Sequence, residues 1–298
     1  MASSTDEKRS IAQRLVTDVF GGGNVALVDE FVDPGLVDHN PFPGLAPGRE
    51  GFTQAVTMVR DGFPDLSCAP VRVIVEDDRV FYHWEGNATH NGAFAGIPPT
   101  GKSIRLSGME VIHFGGDAGK VVEHWIIVNG MEIMQQLGVV PGAPEGGFPP
   151  YTPVPTVDAG RQTSPEENKQ VMIRHVEEIW NGRNLDAADE LFHPQAVTPY
   201  APLPPGPMGC KVIAGMFHTA FPDFHMTVED ILAEGDLVGA RFRQTGTQQG
   251  ELFGIPPTGK QVDFEEMAVV QIADGKILST WFETDLLTMM QQLGVAGG

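Results

Sequence analysis

The spacing of apolar positions divides the chain into helix-like and strand-like stretches that occur twice. Ile11, Leu15 and Val19 recur at intervals of four, and Met172, Val176 and Ile179 at intervals of four and three, so each set forms one face of an amphipathic helix. Ser4-x-x-Glu7 and Ser164-x-x-Glu167 read as capping boxes ahead of these faces, the second with Pro165 at the first helical position. Short second helices are predicted over 25–31 and 185–192. A Pro-rich loop follows in each copy, then a third helix that turns Phe52, Val56 and Val59, or Ile213, Met216 and Ala220, inward. Beyond these the pattern predicts strands at 67–76, 79–90, 103–114 and 120–128, with counterparts at 225–234, 237–248, 261–272 and 276–284. Helices first and an antiparallel meander afterwards define an α+β domain. The sheet must curl around the helices to bury one face, which leaves a pocket at its open end.

The doubling is a true repeat. Phe63-Pro64-Asp65 recurs as Phe221-Pro222-Asp223, and GIPPTGK at 96–102 recurs at 254–260, both at an offset of 158. Positions 63–114 align with 221–272 without a gap, and 17 of 52 match, which is too many for two unrelated segments in one register. After a two-residue shortening of the last hairpin the offset becomes 156, and W-x9-QQLG aligns Trp125–Gly138 with Trp281–Gly294. Each copy has the size of a whole domain. The organisation read from the sequence is therefore domain 1 over 1–138, a Pro/Gly-rich semi-rigid linker over 139–162, and domain 2 over 163–298.

Composition narrows the ligand. The chain has 298 residues, 41% of them hydrophobic, with no apolar stretch near 18 residues, so no membrane association is expected. Its 19 basic and 39 acidic side chains give a net charge of −20. A polyanionic surface repels phosphate backbones, so no nucleic-acid partner is expected and the ligand is a small, neutral or mostly apolar molecule held in a cavity. Cys68 and Cys210 form no metal-spaced cluster and the N-terminal stretch lacks a hydrophobic signal, so no zinc site is expected and the localisation is read as cytoplasmic. In GIPPTGK, Pro-Pro removes two backbone donors that a phosphate cradle needs, which makes the segment a rigid turn; QQLG reads as a helix end.

FPD(L/F), GIPPTGK and the closing string D-G-K-I-x3-W-x3-D-x5-Q-Q-L-G resemble the SnoaL-like polyketide cyclase family of the nuclear transport factor 2-like (cystatin-like) superfamily, over nearly all of both copies. The resemblance implies two tandem cone-shaped barrels, each a curved antiparallel sheet wrapped on N-terminal helices. Single-domain relatives commonly pair, so it also implies an intramolecular pseudo-dimer and leaves room for further homo-oligomers. Copy 2 matches the closing motif fully through Gly275-Lys276-Ile277, Trp281, Asp285 and Gln291–Gly294; copy 1 has Asn129 where the family has Asp, yet keeps the family's His-Asn-Pro loop as His39-Asn40-Pro41. For Asp285 the resemblance implies proton abstraction beside a carbonyl, leading to aldol ring closure, isomerisation or elimination without a metal or organic cofactor.

Strand alternation proposes the pocket walls. Met and Val are identical in the two copies at Met109/Met267 and Val111/Val269, so that face, with Ser107 and His113 or Glu265 and Gln271, is taken as inward. On the preceding strand Val80, Tyr82, Trp84 and Val238, Ala240, Phe242 are the inward side, which carries His90 and Gln248 with them. His83, Glu85, Arg241 and Arg243 are left outside. The candidate catalytic residues are then Asp285, Glu283, His113 and His39, and the candidate substrate contacts are Gln271, Gln248, Trp281, Met267, Phe253, Asn129, His90, Trp125 and Met109. A carboxylate among apolar walls and beside another acid is shifted toward the range of a general acid or base, and a histidine titrates there already. Position 285/129 also stands at the start of a terminal helix, where Asp and Asn are preferred caps. Two functions are consistent with this pattern: an acid/base lyase, isomerase or cyclase acting on a hydrophobic carbonyl or polyketide-like compound, or a carrier of an apolar ligand. In a third arrangement one copy does the chemistry and the other is scaffold.

Overall fold

The computed structural model describes residues 4–116, 119–140, 155, 157, 160–198 and 203–295. They fall into two compact units, Met1–Glu145 and Gly146–Gly298, and the segment read as a linker lies mostly outside the described residues.

In the first unit α1 (Thr5–Arg14) begins where the Ser4 hydroxyl accepts from the Glu7 backbone N–H at 3.2 Å, and it runs on as a π-helical turn, Leu15–Gly21. There follow α2 (Ala26–Phe31), β1 (Val32–Asp38), α3 (Gly48–Gly62), the meander β2 (Ser67–Glu76), β3 (Arg79–Thr89), β4 (Ser103–Gly115) and β5 (Lys120–Val128), and α4 (Gly130–Leu137). The second unit repeats the order: α5 (Pro165–Arg174), which has the complete Ser164/Glu167 capping box, a π-helical turn, α6 (Ala188–Leu191), β6 (Phe192–Val197), α7 (Pro207–Ala220), β7 (His225–Glu234), β8 (Leu237–Thr247), β9 (Gln261–Ala273), β10 (Lys276–Thr284) and α8 (Leu286–Leu293). All eight meander strands fall within one residue of the ends read from the alternation. Asp274-Gly275, with φ of 53° and 71°, makes the two-residue turn between β9 and β10.

The expected all-antiparallel sheet is corrected by a fifth strand in each unit. β1 pairs in parallel with β5 and β6 with β10, giving the orders β1-β5-β4-β3-β2 and β6-β10-β9-β8-β7. Pro34 and Gly35 interrupt β1 and its register shifts between Val32 and Val37, so the segment shows no alternation along the chain. Its partner lies across a long crossover that local pattern does not report.

The inward face of β4 and β9 is also the reverse of that expected. Ile112 and Phe114 join Val80 and Tyr82 in the core with Leu15, Val19, Phe52 and Val56, while Ile104 and Leu106 pack with Phe63. In the second unit Phe264, Ala268, Val270 and Ile272 join Val238 and Phe242. Met109, Val111, Met267 and Val269 lie on the opposite face, although they too are buried. β4 is apolar on both faces, so identity between copies marked burial and not the concave side. Cross-strand pairing decides it: Val80 stands opposite Ile112 and Tyr82 opposite Glu110, and paired residues share a face.

The two shared motifs join the sheet to the terminal helix. Lys102 Nζ donates to the Leu137 carbonyl at 3.1 Å, where Gly138 (φ 79°) ends α4. The Gln136 amide accepts from Arg105 N and donates to Arg105 O, both at 2.8 Å, and Gln292 does the same at Asp263. GIPPTGK and QQLG recur because they lock α4 and α8 onto β4 and β9.

Candidate functional site

Four strands bring polar side chains to one place on the concave side of the first unit. The parallel register of β1 on β5 sets Asp38 beside His124, and His124 Nδ1 donates to Asp38 Oδ1 at 3.2 Å. The other ring nitrogen, Nε2, donates to Glu110 Oε2 on β4 at 3.1 Å. Glu110 also accepts from the Tyr82 hydroxyl and from Trp84 Nε1, the latter at 2.7 Å. Glu110, His124 and Tyr82 are each no more than 3% exposed, so the cluster lies out of bulk water.

Burial alone would strip the proton from His124, but hydrogen bonds to Asp38 and Glu110 and their charges overcome it and lift the imidazole to about 9. Burial likewise opposes ionisation of Asp38, yet His124 and the Asn40 backbone N–H hold it below the usual carboxylate range. Burial and the neighbouring Glu110 push the Tyr82 phenol well up and the Cys68 thiol up to about 12. At neutral pH, then, an imidazolium is clamped between two acid side chains, one of them an ionised aspartate.

Asp38, Cys68, Trp84, Glu110 and His124 form one wall of a cavity of about 100 Å3. The other walls are apolar, with Phe20, Phe52, Phe63, Leu106, Ile126 and Val128 prominent. Phe42, 36% exposed, meets Phe94 edge-to-face at 6.1 Å, and both rings line the same cavity. A wider groove of about 620 Å3 in the second unit is a surface feature between Arg161–Thr163, Asp236 and Gln271–Asp274, away from any comparable cluster of facing acids and imidazole.

The residues chosen from the sequence lie elsewhere. Asp285 caps α8, its Oδ1 accepting from the Thr288 N–H at 3.0 Å. Asn129 begins α4, where its Oδ1 accepts from Ser107 N at 3.3 Å and its Nδ2 donates to Glu132 at 3.0 Å. Glu283 and Trp281 are buried on the face of β10 shared with Met267, opposite to Phe282 and Thr284; Trp125 and Met109 occupy that face in the first unit. His39 stacks on Trp125 at 4.1 Å, and its Nε2 lies 3.1 Å from Glu123, which also approaches His113 at 3.9 Å. Gln271 donates to Asp236 at 2.8 Å, and Phe253 is 49% exposed in a loop.

His90 and Gln248 are inward as expected, but both serve the GIPPTGK turn. His90 Nδ1 contacts the Thr100 hydroxyl at 3.1 Å, and Gln248 Oε1 accepts from the Thr258 hydroxyl at 2.7 Å. The sequence reading thus missed Asp38, Glu110 and His124. The signal for Glu110 was present in the inward Tyr82 and Trp84, once their strand is paired with the next. Among the described residues no group of three or more His, Cys, Asp or Glu side chains is arranged to hold a metal ion.

A mixed sheet packed on helices, with a buried acid/imidazole cluster on the wall of an apolar pocket, is a cone-barrel arrangement with a small-molecule pocket. The chain belongs to the SnoaL-like polyketide cyclase family, whose model matches residues 10–137 and again 170–293. It is similar to aklanonic acid methyl ester cyclase of Streptomyces peucetius, at 27% identity over 128 residues, covering 41% of this chain and 88% of that protein. It is similar also to nogalonic acid methyl ester cyclase of Streptomyces nogalater, at 28% over 120 residues, covering 39% and 89%. Among solved structures, TsrD from Streptomyces laurentii matches at 27% identity and a TM-score of 0.43, covering 45% of this chain and all of that one. The chain is an enzyme of the SnoaL-like cyclase type, built as a tandem duplication.

Proposed function

We propose that domain 1 is the catalytic unit and that it closes a ring on an apolar, polyketide-like carbonyl compound by acid/base chemistry at Asp38 and His124, with no organic cofactor. The observation that carries this reading is the Asp38–His124–Glu110 cluster at the apolar cavity. Ring closure of the aldol type needs a base for a carbon-bound proton and an acid for the oxygen of the attacked carbonyl. Asp38, ionised at the cavity wall, takes the proton from carbon flanked by carbonyl groups, and the adjacent imidazolium stabilises the enolate. The alkoxide left by carbon–carbon bond formation takes the Nδ1 proton of His124. The proton on Asp38 then passes across the 3.2 Å contact to Nδ1 and restores the starting state. Glu110, held by Tyr82 and Trp84, keeps the ring oriented throughout.

Domain 2 has Ala240, Ala268 and Thr280 where domain 1 has Tyr82, Glu110 and His124, so it lacks this cluster. The names of the two curated cyclases supply the substrate class. A cavity of about 100 Å3 admits only the reacting end of a multi-ring compound, the remainder lying at Phe42 and Phe94. The test is turnover of an aromatic polyketide methyl ester: Asp38→Asn and His124→Gln each lower kcat by about 10²–10⁴-fold with the fold intact. Turnover unchanged in both variants would sink the assignment.

A further inference from the structure

Each unit ties the turn between its second and third meander strands to one buried side chain, and a proton affects the two side chains differently. The frame of the turn is common to both. The His90 N–H donates to the Lys102 carbonyl and the Gly101 N–H to the His90 carbonyl, both at 2.9 Å, and Gln248, Lys260 and Gly259 repeat this at 2.9 Å. Phe94 bridges Ile97 within the first turn, as Leu252 bridges Ile255 within the second. In the second unit Gln248 Oε1 accepts from the Thr258 N–H at 3.2 Å and from its hydroxyl at 2.7 Å, while Nε2 donates to the Ile255 carbonyl at 3.3 Å. In the first unit His90 Nδ1 accepts from the Thr100 N–H at 3.3 Å and lies 3.1 Å from the Thr100 hydroxyl, but Nε2 is buried without a partner among the described residues. One ring nitrogen therefore does what a whole amide does in the second unit.

That nitrogen accepts only while the imidazole is neutral. A proton on Nδ1 turns it into a donor facing the Thr100 N–H, and it places a charge in a site with no counter-ion. The charged side chains on the surrounding elements are engaged elsewhere. Asp65 accepts from the Thr89 N–H at 2.7 Å, Lys102 Nζ donates to the Leu137 carbonyl at 3.1 Å, Arg60 donates to the Gly21 and Leu66 carbonyls, and Asp61 is exposed. Burial alone acts on His90 and holds its proton affinity below the ordinary value. The tie also reaches the first cavity. Pro98-Pro99 makes a stiff connection from Thr100 to Ile97 and its bridge partner Phe94, whose ring packs on Phe63 at 5.0 Å and lines the cavity beside Phe42.

We propose that the His90–Thr100 contact is an acid-released latch on the Phe94 turn, so that the Phe42/Phe94 edge of the first cavity opens more often as pH falls, while the second unit's turn, tied by Gln248, does not respond. His90 is a positioning residue in this role and touches no reacting atom. The closed turn requires the neutral ring and the released turn does not, so opening increases as pH falls through the ordinary histidine value of 6.5. The open form stays a minority over this range, and the acid/base chemistry at Asp38 and His124 is untouched.

Amide hydrogen exchange of the full chain, read by NMR at pH 7.5 and pH 5.5 and corrected for intrinsic rates, tests the latch. The Thr100 amide reports the contact itself, the Gly92 amide, which donates to the Gly62 carbonyl at 3.0 Å, reports release of the turn from α3, and Thr258 is the comparator in the second unit. Protection at Thr100 and Gly92 falls at least about threefold on acidification relative to Thr258. His90→Gln installs the side chain that the second unit uses, and it removes this difference. The proposal is overturned if Thr100 follows Thr258 across the range, if Gly92 keeps its protection while Thr100 loses it, or if His90→Gln retains the acid response. Exchange is measured without substrate, so the result is separate from turnover in Asp38→Asn.

Discussion

His124 and Asp38, 86 residues apart in the chain, are register partners across the parallel β1–β5 pair, and the imidazole donates from Nδ1 to the aspartate at 3.2 Å. Because Glu110 occupies the opposite nitrogen, the ring has a defined orientation and a retained proton. At neutral pH Asp38 is therefore ionised and His124 protonated.

That state predicts a broad bell for kcat/KM. Activity falls on the alkaline side as His124 loses its proton near 9, and on the acid side only below the ordinary aspartate range, because Asp38 is held down. A pH–rate profile checks this. A profile that rises through pH 6 to 7 would instead indicate a neutral histidine acting as base.

Stability responds to the same proton. The folded value of about 9 exceeds the unfolded 6.5, so the contribution is fully present below pH 6.5 and is lost as pH rises through about 9. The difference, at about 1.4 kcal/mol per pH unit, is on the order of 3 kcal/mol. Urea unfolding at pH 6 and pH 10 should give a larger loss for the parent than for His124→Gln. Equal losses would mean that the imidazolium is not clamped.

Tyr82 acts through Glu110. Tyr82→Phe removes one donor from that carboxyl, which leaves more of its hydrogen-bonding capacity for His124. The expected results are a stability loss of about 1–2 kcal/mol and an alkaline limb moved to higher pH. A variant with lower stability and an unmoved limb would make Tyr82 a packing residue only.

Asp285 is assigned to capping. Asp285→Asn should leave kcat/KM within about threefold of the parent, since Asn caps as well as Asp, while Asp285→Ala should cost about 1 kcal/mol of stability. A large kinetic loss in Asp285→Asn without loss of stability would return the acid/base role to domain 2.

The candidate site was legible only in part. Tyr82 and Trp84 follow from alternation in β3, which has clear inner and outer sides. Identity at Met109/Met267 and Val111/Val269 points to the other face of the strand, while Glu110 differs from its counterpart Ala268. Divergence between copies is what a site kept in one unit and lost from the other produces. Asp38 and His124 gave no local signal, since neither stands in a motif spacing with the other.

The sequence by itself determined the duplication, the eight meander strands, the helix starts at Ser4 and Ser164 and the locking turns, because each rests on interactions within a few residues or on a repeat visible in one dimension. Tertiary structure alone decided which face of a doubly apolar strand turns inward and which distant strand completes the sheet edge. Alternation defines two faces without labelling them, and the label comes from the cross-strand partner. The β1–β5 pairing closes a long crossover, and its register brings Asp38 to His124.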